Sequence, residues 1–117
     1  MGHWVYVIYS GKLDRYYVGE SEDPVERLRQ HRDGLYKGSA TSKATDWESM
    51  LEMPCADRSH ARRLEGWIKS QKSRAVIRRL IEEEDYRNYQ VERFRQEGVA
   101  APIGIGASTA RGAKASA

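Results

Sequence analysis

The apolar positions of the chain fall into two kinds of spacing. Residues 4–9, Trp-Val-Tyr-Val-Ile-Tyr, are β-branched or aromatic throughout and predict a strand. A turn-like stretch, Ser10-Gly11-Lys12-Leu13-Asp14, separates them from a second strand over Arg15 to Gly19, so an antiparallel hairpin is expected. Asp23-Pro24 then supplies an N-cap and a first-turn proline, and Val25, Leu28 and the aliphatic part of Arg32 recur at helical spacing until Asp33-Gly34. Residues 34–46 are rich in Gly, Ser, Thr and Lys and read as a loop. In Trp47 to Cys55, the even spacing of Trp47, Leu51 and Met53 predicts a third strand with those side chains on one face and Pro54 at its end.

Three helical segments follow. Asp57-Arg58-Ser59-His60 opens one with Ala61, Leu64, Trp67 and Ile68 as its buried stripe. Another starts near Ser73 with Val76, Ile77, Leu80 and Ile81, and a third runs from about Asp85 to Gln96 on Tyr86, Tyr89 and Phe94. Residues 98–117, mostly Ala and Gly with no aromatic or acidic side chain, have too little to bury and predict a flexible tail. The glycines of Gly98 to Gly106 lack the preceding strand and following helix of a phosphate loop, so no nucleotide site is expected there.

With 117 residues, 39% of them hydrophobic and 32% charged, the chain suits one modest core. No run approaches the roughly 18 apolar residues of a membrane span, and Met1-Gly2-His3-Trp4 lacks a signal-peptide profile. Cys55 is the single cysteine, so no internal disulfide is available, and a cytoplasmic location is expected. His3, His31, Cys55 and His60 match no zinc-ligand spacing, so no structural zinc is expected, and His60 at a helix start reads as structural.

The net charge of +3 hides a sharper distribution. Residues 58–79 carry eight basic side chains against one acid, Glu65, while residues 1–57 and 80–97 are each net acidic. A local basic surface of this kind concentrates polyanions. Tyr17 on the second strand, Arg27 and His31 one turn apart on the first helix, and Glu65 fall at spacings that allow convergence. A carboxylate among phosphate-attracting charges suits a metal-assisted phosphodiesterase, since Mg²⁺ keeps most of its waters and takes further ligands from substrate phosphate. An arginine would neutralise developing phosphorane charge. Ordinary helix salt bridges from Glu65 to Lys69 or Arg62 would leave the same letters.

Trp4-Val5-Tyr6 on one strand, Tyr17-Val18-Gly19 on the next, Arg27, His31 and Glu65 within Arg63-Leu64-Glu65-Gly66-Trp67-Ile68-Lys69 together resemble the GIY-YIG nuclease superfamily. The resemblance covers residues 3 to about 80 and is greatest to small single-domain bacterial members similar to the N-terminal module of the excision-repair nuclease. It implies an α+β fold in which a three-stranded antiparallel sheet is flanked by helices. A nuclease domain would span 1–97, with a core at 3–80, a helical extension at 81–97 and the tail at 98–117. It also implies metal-dependent hydrolysis of DNA, with Mg²⁺ or Mn²⁺, leaving 5′-phosphate and 3′-hydroxyl ends.

Carried over by position, Glu65 is the metal ligand, Arg27 the phosphate-stabilising cation, and Tyr17 the group that activates or positions water. Tyr6 supports it and His31 is a proton acceptor. A phenol of pKa about 10 is a poor base at neutral pH, whereas the histidine reference value of about 6.5 suits that task. Three departures stand out: the first triplet lacks the family glycine, Glu20 replaces a basic residue of some relatives, and no asparagine stands at the position after Glu65 where several branches carry one. Glu20 would weaken phosphate contact or add a carboxylate on the metal side.

Residues 58–79 and the loop 34–46 are expected to grip DNA, through Lys37, Lys43, Arg62, Arg63, Lys69, Lys72 and Arg74, with Trp47 and Tyr36 stacking on exposed bases. Whether the DNA is single-stranded, duplex or branched stays open. Targeting would come from the loop, a homodimer or a protein partner. Two other readings are a nucleic-acid-binding module that no longer cleaves and a protein-interaction domain working through residues 80–97.

Overall fold

The computed structural model describes residues 2–34 and 40–95. Strands β1 (His3–Ser10), β2 (Arg15–Ser21) and β3 (Glu48–Cys55) form an antiparallel sheet in the order β2-β1-β3. The most apolar strand therefore takes the centre. Val5 and Val7 face one side, Tyr6 and Ile8 the other, and all four are buried because helices cover both faces. Helices α2 (Arg58–Gln71), α3 (Arg74–Glu82) and α4 (Glu84–Arg93) enclose the Val5 face, where Ala61, Leu64, Ile68, Leu80 and Phe94 join Met53 and Cys55. Helix α1 (Pro24–Arg32) covers the Tyr6 face, where Leu28, Ala44 and Trp47 pack around Tyr6 and Ile8.

Local chemistry sets the helix ends. The Asp23 and Asp57 carboxylates accept from the Glu26 and His60 N–H groups at 3.0 and 2.9 Å, and Ser73 Oγ accepts from Val76 N–H at 3.2 Å. Three readings from the apolar pattern are corrected. Trp47 does not share a face with Leu51 and Met53: β1 pairs Val7 with Leu51 but Ile8 with Ser49, so Met50 is an extra residue that reverses the alternation and turns Trp47 to the Tyr6 side. Pro54 does not end the strand, since β3 is an edge strand and pairs Pro54 with Trp4. Val25 and Tyr89 are surface residues, 69% and 58% exposed, rather than anchors.

Polar contacts hold α4 where apolar anchors are few. Arg63 donates to the Phe94 and Arg95 carbonyls at 3.0 and 2.8 Å, and Arg87 to those of Leu80 and Ile81. His60 Nδ1 accepts the Ala56 N–H at 2.9 Å, so its Nε2 carries the proton and donates to the Val91 carbonyl at 2.7 Å. Cys55 is buried, and burial pushes its thiol up to about 11, which makes it unreactive. Among the described residues no helix is long and apolar enough to cross a membrane. The tail at 98–117 and its glycines lie outside the described residues.

Candidate active site

Tyr6 sits opposite Gly19 in the β1–β2 register. The phenol crosses the space a Cβ on Gly19 would fill, which is why the second strand needs glycine there. The ring is then led to α1, where its hydroxyl lies 2.9 Å from His31 Nε2. Tyr17, two residues before Gly19 and on the same face, brings its ring centroid to 6.5 Å from that of Tyr6 and 5.1 Å from that of His31. Tyr6 and His31 are buried, and Tyr17 is partly exposed at the sheet edge.

Helical spacing places Arg27 one turn before His31. Burial, and then the Arg27 charge, push the His31 imidazole down to about 4. The ring is neutral at pH 7, and the reference value near 6.5 that suits a proton acceptor does not hold in this fold. His31 Nδ1 lies 2.9 Å from Thr41 Oγ1, in the 3₁₀ turn Ala40–Lys43.

Glu65 comes from the other side of the sheet. Helix α2 packs on the edge strand β2, and the half-buried Glu65 carboxylate meets Lys69 Nζ at 2.9 Å. That ammonium is also 5.6 Å from the Tyr17 ring centroid, so Lys69 links Glu65 to the tyrosine cluster. Glu20 lies on the Val5 face that α2 covers, bonded to His3 and 3.8 Å from Arg58 at the start of α2.

The basic stretch 58–79 is broken up. Arg63 is held by the Phe94 and Arg95 carbonyls just past α4, Arg74 reaches the Asp14 carboxylate at 2.8 Å, and Arg79 bonds Glu83 at 3.0 Å. Arg62 and Lys69 are exposed and fall at helical spacing with Glu65 along one stripe of α2, while Lys72 is exposed just past the helix end as its left-handed C-cap. Lys43 is exposed at the end of the 3₁₀ turn; Lys37 and Tyr36 lie outside the described residues. Trp47 is 2% exposed and donates its indole N–H to the Thr41 carbonyl, so it cannot stack on bases.

The family model for the GIY-YIG catalytic domain matches residues 2–79. The chain belongs to the GIY-YIG family. Membership implies nuclease activity in general terms, and the three-stranded antiparallel α+β architecture is consistent with the family fold. No curated protein and no solved structure matches the chain. The match ends within α3, so α4 is an addition to the part of the GIY-YIG domain that the family model covers.

Among the described residues no group of three His, Cys, Asp or Glu side chains forms a metal cage. A single carboxylate still suits a divalent ion of the Mg²⁺ kind, which is commonly held by one or two carboxylates with water and substrate phosphate completing its shell. Thr41 was invisible to sequence reasoning. It follows a long loop, and no spacing rule ties it to His31; the one available signal is that a buried imidazole needs a partner at each nitrogen.

Proposed function

We propose that this GIY-YIG domain is a Mg²⁺- or Mn²⁺-dependent DNA endonuclease of the cytoplasm, serving repair, recombination or processing of single-stranded or distorted DNA. The observation that carries the reading is the meeting of two partly independent sets at the β2 edge. Tyr6, Tyr17 and His31, with Arg27 beside them, come from one face, and Glu65 with Lys69 comes from the other.

Tyr17, the more exposed phenol, orients the attacking water. Arg27 balances the charge that grows on the phosphoryl oxygens, the task for which a planar guanidinium is suited. Glu65 holds the metal ion, which when bound supplies Lewis acidity to the phosphate. Tyr6 and His31 act behind Tyr17, fixing its ring and the local proton arrangement rather than presenting a strong base. Water adds to phosphorus and releases a proton to solvent, the bond to the 3′ oxygen breaks, that oxygen takes a proton from solvent, and the products are 5′-phosphate and 3′-hydroxyl ends. The α2 stripe of Arg62 and Lys69, together with Lys72 just past its end and Lys43, holds the DNA backbone, while Arg63 and Arg74 keep to the protein.

The reading is tested by incubating end-labelled single-stranded, duplex and branched DNA with the protein and Mg²⁺, Mn²⁺ or EDTA. The ends are then identified by their competence for ligation. Metal-dependent cleavage to ligatable ends is expected. Salt-sensitive binding without cleavage would leave a binding module instead.

A further inference from the structure

Thr41, His31 and Tyr6 form a buried row, 1%, 2% and 2% exposed, in which each imidazole nitrogen meets a hydroxyl at 2.9 Å. A neutral imidazole donates through one nitrogen and accepts through the other. The row therefore has two opposite directions, and the hydroxyls decide between them. A phenol is a stronger hydrogen-bond donor than an aliphatic alcohol, so Tyr6 donates to Nε2. Nδ1 must then carry the hydrogen, which it donates to Thr41 Oγ1. This is the tautomer that free histidine disfavours in water, and it needs an acceptor at Nδ1 to persist.

We propose that Thr41 is a positioning residue that holds His31 in its Nδ1–H form, so that the Nε2 lone pair faces the Tyr6 hydroxyl. The consequence for cleavage rests on the nuclease reading above; the tautomer itself does not. His60 provides an internal contrast, because the Ala56 N–H fixes it in the opposite, Nε2–H form.

The test is ¹⁵N NMR of the full chain labelled at histidine, at pH 7.5, with His31 identified by the signal missing in His31→Gln. Wild type and Thr41→Ser are expected to show a protonated Nδ1 and an unprotonated Nε2 at His31, the reverse of His60. Thr41→Val should shift His31 toward the Nε2–H form. The Trp47 indole N–H, bonded to the Thr41 main-chain carbonyl, reports that the turn is intact. If the valine variant loses that signal, Thr41→Ala compared with Thr41→Ser decides the matter. An Nε2–H ring in wild type, or an unchanged Nδ1–H ring once the hydroxyl is removed, overturns the assignment. In the cleavage assay Thr41→Val should lose about 10- to 100-fold in rate, the usual range for an outer-shell partner, with Thr41→Ser largely restoring it. Absence of cleavage in every protein would refute the nuclease reading and leave the tautomer to be judged by the spectra alone.

Discussion

Gly19 and Tyr6 are cross-strand partners, and the phenol of Tyr6 passes through the volume where any other residue at 19 would place its Cβ. A side chain at 19 must therefore push Tyr6 away from His31. Gly19→Ala is expected to cost about 1–3 kcal/mol, as overpacking generally does, and to reduce cleavage severely. Gly66 is the control. It lies in α2 with open space around its Cα, so Gly66→Ala should stabilise the fold by about 0.5–1 kcal/mol. Urea unfolding of both variants checks the pair. Equal effects at the two positions would contradict the role given to Tyr6.

His31 makes stability depend on pH. Its ring is depressed from 6.5 to about 4, so below pH 6.5 the unfolded chain takes up a proton that the folded chain refuses. Stability at this site is complete above pH 6.5 and falls as the pH drops toward 4, by about 3 kcal/mol in all, since one pKa unit is worth about 1.4 kcal/mol. The carboxylates held low by their partners, Asp14, Glu26, Asp46 and Glu92, lose their contributions only nearer and below pH 4. Unfolding midpoints measured between pH 7 and 4.5 should fall in wild type and flatten in His31→Gln.

The basic side chains should separate by salt dependence. Arg62→Ala and Lys72→Ala are each expected to lower the slope of log K against log salt for duplex DNA by about 0.9, one phosphate contact apiece. Arg63→Ala and Arg74→Ala should leave that slope unchanged, because their guanidinium groups are bonded to the Phe94 and Arg95 carbonyls and to Asp14. Arg63→Ala should instead destabilise the fold by about 1–2 kcal/mol, through carbonyls left without a donor. Binding isotherms across a salt series, with unfolding curves alongside, check both statements.

Much of this fold was legible because its signals are local. The β-branched run of β1, the Asp23-Pro24 and Asp57 caps and the Ala61, Leu64, Ile68 stripe each act within a few residues of themselves. Spacing also put Arg27 and His31 on one turn, and the strand triplets pointed to Tyr6 and Tyr17. What stayed hidden depended on partners distant in sequence. The extra residue at Met50 is visible only in its pairing with β1, and it alone reverses the face of Trp47. Arg63 and Arg74 look like their basic neighbours until the carbonyls that follow α4 and the turn at Asp14 come within reach. Burial, with Arg27 nearby, likewise lowers the His31 imidazole to about 4 from its reference value and seats it between two hydroxyls.

Glu65 is the residue on which the account turns, since it is the carboxylate that α2 brings to the tyrosine cluster with Lys69 bonded to it. The decisive measurement is the cleavage rate of end-labelled DNA by wild type and by Glu65→Gln, with Mg²⁺, Mn²⁺ or EDTA, both proteins matched for unfolding midpoint. The account predicts metal-dependent cleavage in wild type, a loss of more than about 100-fold in the variant, and DNA binding retained in both. Cleavage that survives EDTA, or a Glu65→Gln protein as fast as wild type, would contradict it.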